Sequence, residues 1–265
     1  MSNMDNRPIG IFDSGIGGTS VWREIEKLLP YENTIYLADS KNAPYGERSK
    51  EEILQLSIKN IEYLLAKDCK LIVVACNTAT TNAISYVREH YSVPFIGTEP
   101  AIKPAALRSK SKTVGVLATK GTLSSELFFT TSQNHAGGIN KIVQVGTGLV
   151  PLIEAGKVHA PETKELLQKY LEPMLAEGMD YLVLGCTHYP YLIPVLKEMI
   201  PAHVEILDSG AAIAKQTMAI LKENNLLASP DKKGSHLFYT NSNPDILASF
   251  LTDVKAQYNT AYLDF

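Results

Sequence analysis

Short apolar runs alternate along the chain with longer stretches of helical period. Arg7 to Phe12, Thr34 to Ala38, the run from Leu71 into Cys76, and Val93 to Ile96 read as strands, because four to six apolar, often β-branched residues end at small or polar ones. Between them Val21 to Leu29 (stopped at Pro30), Lys50 to Ala66 and about Thr80 to His90 carry the period of helices. The pattern then starts again. Thr113 to Leu117, Lys141 to Val145, the run from Tyr181 into Cys186, and Val204 to Leu207 read as strands. Leu149 to Ala155 carries Glu154, and Glu162 to Ala176 reads as a helix with Pro173 late in it. After these come a helix over Ile213 to Asn224, a polar loop over Ser229 to Gly234 and a strand over His236 to Thr240. Asn243 and Pro244 suit the cap and first position of a helix expected to run to Tyr258. Strand and helix in alternation predict an α/β fold with mainly parallel sheets flanked by helices.

The restart is a repeat. LIVVACNTAT ends its apolar run at Cys76, and YLVLGCTHYP ends its run at Cys186, 110 residues later. Thr98 and Asp208, at the ends of the following strands, are also 110 apart, and Gly10 and Gly115 in the opening strands are 105 apart. Three matched strand ends at nearly constant offset predict an internal duplication. The tail does not begin a third copy, and its last strand and helices are expected to complete the first half. The expected domains are therefore residues 1–98 plus 208–265, and residues 99–207, with the functional site in the cleft between them. Open α/β sheets keep ligand sites at the carboxyl ends of their strands, which is where both cysteines fall.

Composition narrows the function. The chain has 265 residues, 45% of them hydrophobic and 20% charged, which suits two soluble globular domains. A net charge of −3 lacks the basic footprint of a nucleic-acid binder. No apolar run is long enough to span a bilayer, and the N-terminus lacks the features of a signal peptide, so no membrane association and a cytoplasmic location are expected. Three cysteines, none in a C-x-x-C pair, predict free thiols and no metal site. Cys69 has no partner motif and reads as structural.

Asp13-Ser14-Gly15-Ile16-Gly17-Gly18 follows the first strand. A glycine-rich turn there could bring backbone N–H groups to an anion. The spacing matches neither G-x-G-x-x-G nor a P-loop, and Gly15 stands where an aspartyl phosphotransferase would have its second Asp. Asp13 remains open between a functional carboxylate and a cap or turn residue. The Pro44-Tyr45-Gly46 turn, taken alone, is a surface turn or a ligand wall.

A lone cysteine after an apolar run is usually a core residue. Two of them at matched strand ends place a thiol on each side of a cleft. Inverting a carbon centre by proton transfer needs that arrangement, with a base on one face and an acid on the other. A thiol of ordinary pKa about 8.5 can be tuned for the task. Asp13 and His188 are the neighbours placed to tune or relay the protons. Ser14, Asn77, Thr78, Thr119 and Thr187 offer backbone and hydroxyl donors for carboxylate and ammonium groups. An α-proton is weakly acidic, so without an electron-sink cofactor the carbanion must be stabilised by fixed electrostatics. Glu154 is open between a solvated or capping carboxylate and a functional one.

IFDSGIGG (Ile11–Gly18), APYG (Ala43–Gly46), ACNTAT (Ala75–Thr80), VLATKGT (Val116–Thr122) and GCTHYP (Gly185–Pro190) together resemble, in order, the glutamate racemases of the aspartate/glutamate racemase superfamily. The resemblance covers nearly the whole chain and is weakest after about Asn225. It implies two α/β domains around the active site and cofactor-independent interconversion of L- and D-glutamate for peptidoglycan synthesis. It implies that Cys76 deprotonates the D-enantiomer with help from Asp13, and Cys186 the L-enantiomer with help from His188 and Glu154. Asp13, Ser14, Tyr45, Gly46, Asn77, Thr78, Thr119, Thr122, Thr187 and His188 would hold the small-molecule substrate. No cofactor is implied. Members of the family often form homodimers, and a homodimer is expected here without a particular interface.

Two other functions fit parts of the pattern. One is an aspartate or broad-specificity amino-acid racemase of the same superfamily. The other is a non-catalytic two-domain solute binder, which the paired thiols and the absence of a signal peptide disfavour.

Overall fold

The computed structural model describes residues 4–125, 128, 130 and 138–265. Its first sheet is built from β1 (Ile9–Asp13), β2 (Thr34–Ala38), β3 (Leu71–Val74), β4 (Phe95–Gly97), β9 (His236–Thr240) and β10 (Tyr258–Tyr262), in the order β10-β9-β2-β1-β3-β4. The second contains β5 (Thr113–Ala118), β6 (Asn140–Val145), β7 (Tyr181–Gly185) and β8 (Glu205–Leu207), in the order β6-β5-β7-β8. Every pairing is parallel. The order second-first-third-fourth is therefore the same in both, and the first sheet adds two C-terminal strands beside β2.

Helices cover the sheets. They include α1 (Thr19–Leu28), α2 (Lys50–Ala66), α3 (Asn77–His90), α4 (Ile102–Arg108), α5 (Lys120–Leu123), α6 (Leu149–Glu154), α7 (Pro161–Ala176), α8 (Ile193–Met199), α9 (Gly210–Glu223) and α10 (Pro244–Ser249). Helix α1 packs along α9 and buries Val21, Trp22 and Ile25. The Trp22 ring meets Phe238 and His236 of β9 edge-on, at 4.8 and 5.1 Å between centroids. Helix α2 begins with a reciprocal capping box between Ser49 and Glu52.

Strand alternation aims the cysteines. In β3, Leu71 and Val73 join the core shared with α1, whereas Ile72 and Val74 join the core on the other face. Cys76 continues the Ile72–Val74 row. In β7, Leu182 and Leu184 form one row, and Cys186 continues it. Each apolar side chain buried in these rows contributes about 1.5–3 kcal/mol, which pins the register and with it the direction of both thiols.

The ends of elements differ from expectation. Helix α3 starts at Asn77, not near Thr80, because the Cys76 Sγ accepts the Ala79 N–H at 3.4 Å and caps it. The helix expected to run to Tyr258 stops at Ser249. Its first turn is capped as anticipated, with the Asn243 side chain accepting from Asp245. From there Phe250, Leu251 and Val254 each bond only three residues back. Tyr258–Tyr262, rich in aromatic and β-branched residues, then pairs with the open edge of β9. Helices α4, α5 and α8 were not anticipated.

Candidate active site

The carboxyl ends of β1 and β3 meet those of β5 and β7 across a seam closed by direct hydrogen bonds. The Thr187 hydroxyl donates to Asp13 Oδ1 at 2.9 Å. The Thr78 and Thr119 hydroxyls are 2.8 Å apart, and Thr122 lies 3.3 Å from Thr78 and 3.0 Å from Thr119. The Ile16 N–H donates to Glu154 Oε1 at 2.7 Å, and the Ser40 hydroxyl to Glu154 Oε2 at 3.3 Å. The Ser20 hydroxyl donates to the Thr187 carbonyl at 2.9 Å. Residues far apart in sequence thus form one buried polar cluster.

Its centre is almost dry. Asp13 is 0% exposed, His188 1%, Cys76 4% and Cys186 8%. The Cys76 thiol donates to the Ser14 hydroxyl at 3.7 Å. The Cys186 Sγ is 3.8 Å from His188 Nδ1, and His188 Nε2 is 2.6 Å from Glu154 Oε1. Two sulfurs at equivalent strand ends therefore have unlike neighbours. Burial pushes the Cys76 thiol well up, and the negative charges of Asp13 and Cys186 push it the same way. The thiol keeps its proton. Burial works against the charge of His188, but its bonds to Cys186 and Glu154 outweigh burial and hold the imidazole protonated well above its ordinary range. Burial raises Asp13, opposed by the His188 charge and the Thr187 hydroxyl.

The glycines of the first turn make room for the opposite half. A Cβ on Gly15 would lie 2.0 Å from Glu154 Oε1, and one on Gly17 would lie 2.3 Å from His188 Nδ1. The turn follows no nucleotide-binding spacing because it fits facing side chains.

The anticipated residues divide. Cys76, Cys186, Asp13, Ser14, Thr187, His188 and Glu154 form the cluster described, and Thr78, Thr119 and Thr122 its hydroxyl rim. Asn77 is buried at the start of α3, with its amide donating to the Thr98 carbonyl at 3.2 Å. Tyr45 is buried, but its hydroxyl is bonded to Asp39 and accepts from Asn60 at 3.1 Å. It offers a ligand its ring and backbone, and its hydroxyl is committed elsewhere. Gly46 packs on Thr119 and Gly121. Beside it opens a cavity of about 400 Å³ lined by Pro44, Gly46, Glu47, Thr119, Lys120 and Gly146, among others. Among the described residues no group of three His, Cys, Asp or Glu is arranged to hold a metal ion. No helix among them is long and apolar enough to cross a membrane.

Sequence reasoning missed Tyr36, Ser40, Ser20, Thr19 and Tyr191. The Tyr36 hydroxyl donates to the Gly15 carbonyl at 2.9 Å. Tyr36 and Ser40 sit on or after β2, and no motif marked them. Thr19 and Ser20 directly follow the glycine-rich turn, and Tyr191 directly follows GCTHYP, which is the one signal that adjacency offered.

A family model described as Asp/Glu/Hydantoin racemase matches residues 9–217. A glutamate racemase of Ectopseudomonas mendocina is 50% identical over 227 residues, covering 85% of this chain and 86% of that one. A crystal structure of a Bacillus anthracis glutamate racemase isoform superposes with a TM-score of 0.86 at 28% identity, covering 98% of each chain. The Escherichia coli glutamate racemase, crystallised with L-glutamate and the activator UDP-MurNAc-Ala, superposes with a TM-score of 0.84 at 32% identity over 97% of each chain.

Proposed function

Because the chain belongs to the Asp/Glu/Hydantoin racemase family, we propose that it interconverts L- and D-glutamate by proton transfer between two thiols, Cys76 and Cys186. The observation that carries the reading is the pair of buried sulfurs at equivalent strand ends, one beside Asp13 and Ser14 and the other beside His188. A racemase needs an acid and a base at once, on opposite faces of one carbon. Unlike surroundings are how a protein keeps two like groups in different protonation states.

In this mechanism Cys186, as thiolate, removes the α-proton of L-glutamate, and the C–H electron pair stays on the α-carbon. Cys76 gives its proton to the opposite face. The D-enantiomer reverses both steps. His188 and Glu154 serve the Cys186 side, and Asp13 the Cys76 side. Ser14, Asn77, Thr78, Thr119, Thr122 and Thr187, with the backbone around Tyr45 and Gly46, hold the two carboxylates and the ammonium group. Fixed donors in a water-poor site stabilise the carbanion. Residues 1–98 plus 208–265 and residues 99–207 act as two lobes that close on the substrate. The product supplies peptidoglycan synthesis from the cytoplasm, and the working form is a homodimer.

The test is circular dichroism of L- and then D-glutamate incubated with purified protein in deuterated water, with no pyridoxal phosphate added. Both signals should decay to zero with deuterium at the α-carbon, and Cys76→Ser or Cys186→Ser should each slow the decay by at least about 10³-fold. Decay of aspartate alone would move the substrate assignment to the sister enzymes. Binding of glutamate without decay would overturn the racemase reading.

A further inference from the structure

The two motif turns that carry Asp13 and Cys186 are also joined behind the site, through Tyr191 and Thr19. Tyr191 lies three residues beyond His188, in the short 3-10 turn Tyr189–Leu192. Its hydroxyl bonds the hydroxyl of Thr19, the first residue of α1. The Thr19 hydroxyl donates its one hydrogen to the Ile16 carbonyl at 2.6 Å. Tyr191 is therefore the donor in the Tyr191–Thr19 bond. On its other side Ile16 gives its N–H to Glu154, which holds His188. An unbroken series thus runs from Tyr191 through Thr19, Ile16, Glu154 and His188 to Cys186.

The surroundings hold Tyr191 to this task. Its ring meets Phe250 edge-on at 4.8 Å, with 82° between planes. The Arg23 charge faces its hydroxyl, and Arg23 is itself tied to Asp253 at 2.6 Å. Burial pushes the phenol up, so it remains a donor at neutral pH.

We propose that Tyr191 is a positioning residue for the Cys186 half of the reaction, which acts by holding Ile16 where its N–H fixes Glu154 and so the imidazole of His188. This rests on the racemase reading above. Cys76 lies at the end of β3, and its Sγ bonds are to Ser14 and Ala79, with no member of this series among them. Losing the Tyr191 hydroxyl should slow one proton transfer and leave the other.

Kinetics separates the two sides. The enantiomers are equal in energy, so kcat/KM must change alike in both directions, and the asymmetry appears in isotope effects. The experiment compares wild type with Tyr191→Phe, which keeps the ring against Phe250, using L- and D-glutamate deuterated at the α-carbon. We expect kcat/KM to fall about tenfold in both directions, mainly through kcat, with Tm lowered by no more than about 5 °C. The primary isotope effect should rise for the enantiomer deprotonated by Cys186 and shrink toward unity for the other. Thr19→Val should reproduce this pattern, and Thr19→Ser, which keeps the hydroxyl, should restore wild-type isotope effects. A Tyr191→Phe enzyme within twofold of wild type, or one slowed with both isotope effects unchanged, overturns the proposal. A wild type that racemises neither enantiomer overturns the racemase reading instead, and the two failures are distinct.

Discussion

His188 Nε2 and Glu154 Oε1 lie 2.6 Å apart, and the same carboxylate oxygen accepts the Ile16 N–H at 2.7 Å. Glu154 is only 17% exposed, so its charge acts on the imidazole with little screening. A raised imidazole pKa adds stability that is fully present below about 6.5 and is lost as pH rises through the higher folded value. Glu154→Gln removes the charge and lowers that upper limit. Its kcat/KM should fall roughly 10–100-fold, and the alkaline limb of its pH profile should lie at lower pH than in wild type. An unchanged alkaline limb in a full pH–rate series would show that Glu154 does not control His188.

The glycine turn makes a steric prediction. Gly15→Ala drives a methyl to 2.0 Å from Glu154 Oε1, and Gly17→Ala drives one to 2.3 Å from the His188 ring. Both side chains must swing away. Stability should drop by about 1–3 kcal/mol, as in other overpacked interiors. Activity should drop as well, by about 100-fold, because a displacement of an ångström is costly at a reacting centre. Urea denaturation and kcat/KM on the same preparations separate the two losses, and near-wild-type turnover in either variant would contradict the close approach.

His236 should make the fold acid-sensitive. It is buried between Trp22 and the Thr34 hydroxyl, 2.9 Å from its Nδ1, and burial lowers its pKa to about 4. In the unfolded chain it binds a proton near 6.5. Its neutral form therefore contributes stability that is complete above about 6.5 and is lost as pH falls toward 4, by about 3 kcal/mol at the lower end. His236→Phe should remove that part of the acid dependence. Equal pH slopes for the two proteins in urea titrations between pH 7 and 4 would refute it.

Lys70 and Glu32 form a closed ion pair at 2.6 Å, with side chains 0% and 3% exposed. Lys70 also donates to the Asp5 carbonyl at 2.5 Å, and Glu32 Oε1 accepts the Ala228 N–H at 2.8 Å. Lys70→Met strands a buried carboxylate and should cost about 3–5 kcal/mol. Adding Glu32→Gln should return much of the loss. A double variant no more stable than Lys70→Met in chemical denaturation would mean that the charge is not the cause.

How much was legible in the sequence follows from the range of the interactions. Leu71–Val74 and Tyr181–Gly185 announce themselves because every residue is apolar and the next polar one is a cysteine; strand identity and thiol placement are both local. The end of the last helix was misjudged because Leu251 and Val254 keep helical spacing, while the pairing of Tyr258–Tyr262 with His236–Thr240 is a sheet contact that no local pattern encodes. Glu154 stood undecided because its partners Ile16 and Ser40 lie 138 and 114 residues away. Tyr45 sits in a recognisable motif, yet which way its hydroxyl bonds depends on Asp39 and Asn60 and is written in neither neighbour.

The strand orders imply a sequence of assembly. The second sheet is drawn from one continuous stretch, β5 to β8, whereas the first needs β9 and β10 from the far end of the chain to cover the edge of β2. On a ribosome the middle of the protein can finish while the first sheet waits with the outer edge of β2 unpaired, its backbone a template for any passing strand. β9 and β10 then close that edge, and a chain truncated before His236 would leave the ribosome with it permanently open.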